Sequence, residues 1–327
     1  MKCTNKKKTI KRLLCMICVA ALFMSGCGAV PLNTPYKVYD SAVTHFGDQQ
    51  QELSFFAENL CVAGNITIGT DQTDSFVAEA SGLFDVTSKE VKYAQNLHQK
   101  MYPASTTKVM TAYIILKNCN VNEIVTVSDN AVNQASDSSV CGLKAGDRIS
   151  ILDLLYGLLL PSGNDAAIVL AEYYSGSEEA FANVMNQEAQ ALGATNTHFT
   201  NSNGLPNENH YTTVYDMYLI FKEAIKYELF VEMVSTASYT ASYTDNAGNP
   251  VEKSWNTTNR YLTGARKKPD SVTVLGGKTG TTGAAGYCLV LYSKNETGHD
   301  MISVVFKADG PSDLYLYTSE ILDGFAN

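Results

Sequence analysis

Pro103-Ala104-Ser105-Thr106-Thr107-Lys108-Val109-Met110-Thr111 is the stretch on which the reading of this chain turns. Pro103 introduces it, and Val109, Ala112, Tyr113 and Leu116 then follow helical spacing, so a helix is predicted over Ser105–Asn118. Ser105 and Lys108 stand at i and i+3, side by side on one helical face. A serine hydroxyl is a poor nucleophile until a neighbouring base takes its proton. Lysine can be that base only when burial or a nearby like charge lowers its pKa. The helix N-terminus adds a positive field that favours developing negative charge near the serine. Alone, S-x-x-K is a weak signal and reads first as an N-cap serine with a surface lysine, so its meaning depends on the rest of the chain.

Two further short motifs follow. Ser162-Gly163-Asn164 sits in the turn between predicted apolar helices at Ile149–Leu160 and Asp165–Tyr174. A hydroxyl there can relay a proton and an amide can hold a substrate carbonyl; the bland reading is a turn with an N-cap Asn. Lys278-Thr279-Gly280 comes just after a predicted strand, Val272–Leu275, within a glycine-rich run. A phosphate loop would need Gly at position 272, where Val272 stands. Lys278 on a strand edge instead supplies a second cation and Thr279 a hydroxyl. Gly280 is expected to let a substrate backbone approach the strand.

The remaining pattern frames these motifs. Ser81–Val86 and Val91–Asn96 read as strands of a hairpin around Thr87-Ser88-Lys89-Glu90. Glu178–Leu192, ending at Gly193, and Tyr215–Ile225 read as helices. Tyr287–Ser293 and Met301–Lys307 read as strands, and Ser312–Leu322 as a closing helix. Strands, a large helical middle and strands again predict an α+β fold with a mostly antiparallel sheet.

S-x-x-K, S-D-N and K-T-G in this order are the signature of class A β-lactamases and penicillin-binding proteins; here the middle motif is S-G-N. From about residue 62 to 325 the chain resembles the serine-type D-alanyl-D-alanine carboxypeptidases, the low-molecular-mass penicillin-binding proteins. Beside the three motifs, Leu143-Lys144-Ala145-Gly146-Asp147, Thr197-His198-Phe199, Gly204-Leu205, His210-Tyr211-Thr212-Thr213, Asp216-Met217 and Ala285-Gly286-Tyr287 carry the likeness. The resemblance implies a β-lactamase/transpeptidase-like fold with a large helical insertion. It implies Ser105 as nucleophile, Lys108 as its base, and Ser162 with Lys278 as the route of the proton to the leaving group. Asn164 would orient the substrate amide, and Thr279, with Arg260, would receive a terminal carboxylate. The backbone N–H groups of Ser105 and Thr281 would form the oxyanion hole. Thr281 stands where some carboxypeptidases have His. The implied partners are peptidoglycan stem peptides ending in D-Ala-D-Ala, with β-lactams as covalent inhibitors. No cofactor or metal is implied, and no His/Cys group has zinc-ligand spacing.

The first residues read as an address. Lys2, Lys6, Lys7, Lys8, Lys11 and Arg12 precede an apolar run from Leu13 to Met24, about half the roughly 20 residues of a spanning helix. This is a secretory signal pattern, and Met24-Ser25-Gly26-Cys27 resembles a lipobox, with Cys27 as the lipidated residue. Residues 1–26 are therefore expected to be the signal and 27–60 a tether. One catalytic domain, 61–327, leaves no room for the β-rich domain many family members add. The whole chain has 24 Lys+Arg against 33 Asp+Glu, a net charge of −9. Without residues 1–26, which hold six cations and no acid, 18 cations face 33 acids, giving −15. Such acidity argues against nucleic acid as a partner.

Beyond Cys27, Cys119 and Cys141 flank one segment as a pair that could bridge, while Cys288 alternates into an apolar strand as a buried thiol. His210 is read as structural. Two other functions compete. A class A β-lactamase needs a Glu-x-x-Leu-Asn pattern between the second and third motifs, and Glu188 is followed by Ala189-Gln190-Ala191-Leu192. A non-catalytic surface protein binding β-lactam or muropeptide is opposed by the intact Ser105, Lys108 and Lys278.

Overall fold

The computed structural model describes residues 57–74 and 77–327. The basic head, the apolar run, Cys27 and nearly all of the expected tether lie outside the described residues. Five strands build the main sheet in the order β2-β1-β9-β8-β7, every neighbouring pair antiparallel. They are β1 (Ala78–Asp85), β2 (Glu90–Gln95), β7 (Val272–Thr282), β8 (Gly286–Asn295) and β9 (Asp300–Ala308). Successive side chains of a strand point to opposite faces, and here both faces are covered. Val290, Ile302, Val304 and Phe306 face the helical middle of the chain. Leu289, Leu291, Met301 and Val305 face the closing helix α8 (Pro311–Phe325), which packs Leu314, Tyr317 and Ile321 onto them.

The helical middle comprises α1 (Lys108–Asn118), α2 (Asp129–Val132), α3 (Ile151–Leu159), α4 (Asn164–Ser175), α5 (Glu178–Ala191), α6 (Val214–Ala224) and α7 (Glu228–Ser235). This is the predicted α+β arrangement, with three differences. Ile149 is a strand residue: β4 (Arg148–Ser150) pairs with β3 (Ile124–Thr126). The helix begins only after Ser150, whose hydroxyl accepts the Asp153 N–H at 2.9 Å as an N-cap. Next, β5 (Ser238–Thr244) and β6 (Pro250–Asn256) form a hairpin that completes a second sheet, β3-β4-β5-β6. The exposed positions of β5 and β6 are mostly polar and their buried ones few, so this hairpin carries little apolar signal.

The third difference bears on the site. β7 does not stop at Leu275 but runs through Lys278-Thr279-Gly280 to Thr282. The glycines beyond the expected strand are there for close approach. A Cβ at Gly276 would lie 2.2 Å from the Val234 carbonyl oxygen of α7, and one at Gly277 2.2 Å from that of Val290. β7 thus carries the third motif as the edge strand of the main sheet.

Candidate active site

Ala104–Thr107 form a single 3-10 turn that leads into α1. Thr106 ties the turn back to Pro103, its N–H and hydroxyl donating to the Pro103 carbonyl at 3.2 and 2.8 Å. Ala104 has φ +48°, the left-handed region that a side chain seldom adopts. The turn places Ser105 at the mouth and Lys108 fully buried beneath it.

The Lys108 Nζ lies 3.0 Å from Ser105 Oγ, 2.7 Å from Asn164 Oδ1 and 2.7 Å from the Asn203 carbonyl oxygen. Burial, and then the like charge of Lys278, holds this amine well below its ordinary pKa of 10.5. A neutral amine has two hydrogens and one lone pair. Asn164 Oδ1 and the Asn203 carbonyl can only accept, so they take both hydrogens. In a neutral Lys108 the lone pair would then face the Ser105 hydroxyl, 3.0 Å away.

Lys278 is also fully buried, and desolvation lowers its pKa to about 7. Its Nζ donates to Ser162 Oγ and to the Thr279 carbonyl, both at 2.9 Å. Ser162 sits at φ +66° between α3 and α4. A non-glycine residue there costs of order 1–3 kcal/mol, and such strain gathers at functional sites. Ser105, Ser162, Thr279, Gly280, Thr281 and Arg260 line one open pocket. Asn164 joins the group through its bond to Lys108. All of the site residues expected from sequence in the described region therefore meet in one place.

Gly280 needs a different reason from the one expected. Its missing side chain makes room for the Ala104–Thr107 turn: a Cβ there would lie 2.9 Å from Pro103 O and Ser105 N, and 3.0 Å from Thr106 N. The space is filled by the protein's own backbone. The suggested Cys119–Cys141 bridge does not form either; Cys61, Cys119, Cys141 and Cys288 are all free thiols. Cys141 is instead buried under the second motif, its sulfur so close to Gly163 and Gly157 that a Cβ at either would clash with it. Burial raises its pKa well above the usual value, so it is an inert thiol. Cys288 is buried as expected.

His210 holds the site without entering it. Thr200 N–H donates to its Nδ1 at 3.1 Å, which leaves Nε2–H to donate to Thr107 Oγ1 at 2.8 Å. Burial depresses its pKa to about 4, so the ring stays neutral.

Several contributors carry no local sequence signal. The Asp165 carboxylate receives the N–H groups of Cys141, Gly142 and Leu143 at 2.8–3.2 Å. Asn164 N–H donates to Ser139 O at 2.8 Å, so the 139–143 segment is locked to the second motif and Ser139 reaches the pocket. Thr258 Oγ1 lies 2.5 Å from Thr279 Oγ1 beside the pocket's Arg260. Tyr287, Pro311, Leu314 and Tyr315 form the pocket's more apolar wall. Among the described residues no group of His, Cys, Asp and Glu could hold a metal, and no helix is long and apolar enough to cross a membrane.

Known proteins are similar to this chain in sequence and fold. D-alanyl-D-alanine carboxypeptidase DacF of Bacillus subtilis is 34% identical over 251 residues, 75% of this chain and 61% of the relative. DacC of Escherichia coli is 36% identical over 253 residues, 73% of this chain and 58% of the relative. The chain thus spans about 60% of the length of these relatives. The crystal structure of the Streptomyces K15 DD-transpeptidase matches with a TM-score of 0.70 at 29% identity, covering 80% of this chain and 98% of that one. The sequence profile of peptidase family S11, D-alanyl-D-alanine carboxypeptidase, matches residues 68–310. With Ser105 and the buried Lys108 3.0 Å apart at its centre, the chain belongs to the D-alanyl-D-alanine carboxypeptidase family, peptidase family S11.

Proposed function

We propose that the protein is a serine-type D-alanyl-D-alanine carboxypeptidase that removes the terminal D-Ala from peptidoglycan stem peptides. One observation carries this reading: Ser105 Oγ stands 3.0 Å from an amine whose other two neighbours are both acceptors. Ser105 Oγ attacks the carbonyl carbon between the two D-alanines, and the Lys108 lone pair takes the hydroxyl proton. The developing oxyanion is held by the N–H groups of Ser105 and Thr281; one such donor is typically worth about 10²–10³ in rate. As the C–N bond breaks, the proton taken by Lys108 passes through Ser162, bonded to Lys278, to the leaving amine. Water then attacks the Ser105 ester, releasing the shortened peptide and returning the proton to Ser105.

Asn164 has its Oδ1 committed to Lys108, which leaves Nδ2 to donate to a substrate carbonyl. Thr279 and Arg260 take the terminal carboxylate. β-Lactams would acylate Ser105 by the same route and act as covalent inhibitors.

The N-terminal reading belongs to the same proposal. Residues 1–26 export the chain and Cys27 carries the lipid that holds it on the outer face of a membrane, with 27–60 as tether and 61–327 as catalytic domain. Two or more acyl chains are needed for stable anchoring. Mass spectrometry of membrane-extracted protein reads this directly; an unmodified Cys27 refutes it.

The activity is tested by incubating the protein with a diacetyl-Lys-D-Ala-D-Ala peptide and measuring free D-alanine. Release of one D-alanine per peptide is expected. Rapid nitrocefin turnover without D-alanine release would make it a β-lactamase, and slow covalent labelling by penicillin with neither activity would make it a binding protein.

A further inference from the structure

The side-chain contacts of Lys108 extend to a residue that no motif marks. Its third neighbour, the Asn203 carbonyl, belongs to the 201–205 loop, which is gripped from two sides. From the inside, Lys108 Nζ donates to Asn203 O at 2.7 Å, and Thr111 Oγ1, one turn along α1, donates to Ser202 O at 2.6 Å. From the outside, a single carboxylate oxygen, Oε1 of Glu178 in the first turn of α5, receives three donors. These are Ser202 N–H at 3.2 Å, Ser202 Oγ at 2.9 Å and Asn203 Nδ2 at 3.3 Å. The loop also closes on itself, Asn201 Oδ1 accepting from the N–H groups of Asn203 and Gly204.

We propose that Glu178 is a positioning residue for the Ser105–Lys108 pair, holding the Ser202 and Asn203 carbonyls against α1 so that the Lys108 lone pair faces Ser105. The proposal rests on the serine–lysine reading given above. Without the carboxylate, three donors lose their acceptor and the loop is free to withdraw Asn203 O. Lys108 then turns a hydrogen, not its lone pair, toward Ser105. Glu178 also contributes charge. The charged or titratable groups around Lys108 are Lys278 on β7, Cys141 in the 139–143 segment, Asp165 on α4 and Glu178 on α5. Removing a negative charge from this set makes protonated Lys108 less favourable, so the base stays free to lower pH.

The two effects are separable by substitution. Glu178→Gln keeps an Oε1 acceptor for Ser202 and removes the charge. Glu178→Ala removes both. The readout is the second-order rate of acylation by a fluorescent penicillin between pH 4 and 9, with melting temperature as a check on folding. It does not depend on D-alanine release. Glu178→Ala is expected to acylate about 10–100-fold more slowly at every pH. Glu178→Gln is expected to stay within about threefold of the parent at high pH, with its acid limb moved down by a few tenths to about one pH unit. If Glu178→Ala does not fold, Glu178→Met, which fills the space without an acceptor, takes its place. An Ala or Met variant with the parent's rate, or a Gln variant slowed as much as they are, overturns the proposal while leaving the carboxypeptidase reading intact. A parent that penicillin does not label overturns the serine–lysine reading, and this role of Glu178 with it.

Discussion

Gly204 is the residue whose replacement should most sharply separate activity from stability. It has φ +92°, and a Cβ built on it would lie 1.8 Å from the Ala104 carbonyl oxygen, 2.3 Å from the Ala104 carbonyl carbon and 3.0 Å from Ser105 N. Gly248, in the β5–β6 turn, has φ +84° and nothing within 4 Å of the same position. Gly204→Ala and Gly248→Ala therefore share one cost, that of an L-residue in the left-handed region, about 1–2 kcal/mol. For a domain of this size that lowers Tm by about 2–6 °C. Only Gly204→Ala adds the clash. Ordinary contact begins at 3.4 Å, so either the Ala104–Thr107 turn or the 201–205 loop must retreat by about 1.6 Å. The first movement displaces Ser105 and the second displaces Asn203 O from Lys108. A misplacement of about 1 Å at a reacting pair can cost about 10²-fold. Acylation by fluorescent penicillin should fall at least about 100-fold in Gly204→Ala and stay within about twofold of the parent in Gly248→Ala, with Tm lowered in both. A Gly204→Ala protein that acylates within threefold of the parent would show that the packing of this loop does not set the geometry of the pair.

Asn164→Asp puts a carboxylate 2.7 Å from the Lys108 amine and holds it protonated. Acylation should fall about 100-fold at pH 7, with the acid limb moved up by about 1–3 units; an unmoved limb would contradict Lys108 as the base. Lys278→Met should abolish D-alanine release yet stabilise the fold. The native pKa of Lys278 is lowered from 10.5 to about 7, so between those values the unfolded chain binds a proton that the folded one does not. Stability of the parent therefore rises with pH across that window. The gain in Tm from Lys278→Met should be several degrees at pH 7 and shrink toward pH 10; calorimetry at the two pH values reads it, and a Tm below the parent's at pH 7 would contradict it. Ser105→Ala should lose all covalent labelling by penicillin while keeping the parent Tm.

What sequence made legible follows from which physics is local. Ser105 and Lys108 meet because three residues of helix bring them together, and Lys278 meets Thr279 and Gly280 along one strand. The order of the three motifs and the helix-and-strand pattern around them led to the fold. Contacts that depend on packing between distant segments were not visible. Asn203 meets Lys108 across 95 residues and Glu178 meets Ser202 across 24, with no periodicity to announce either. Glycine misled in one consistent way. Gly276 and Gly277 fall outside the strand read at Val272–Leu275 and prove to be places where α7 and β8 press against β7. Gly280 was read as an opening for substrate, and its space belongs to the backbone of Ser105 and Thr106. A missing side chain marks close approach, but sequence does not say what approaches. The cysteines taught the same lesson: Cys119 and Cys141 flank a segment in the chain, yet Cys141 is spent packing against Gly157 and Gly163.

The central claim is that Ser105 is the nucleophile and that an unprotonated Lys108 activates it. It is tested most directly by brief incubation with a fluorescent penicillin, proteolysis and mass mapping of the labelled peptide, across pH 5–11. The label is predicted on Ser105 alone, with labelling already fast at pH 7, well below the ordinary pKa of a lysine. Label on any other residue, or labelling that rises only near pH 10, would contradict it.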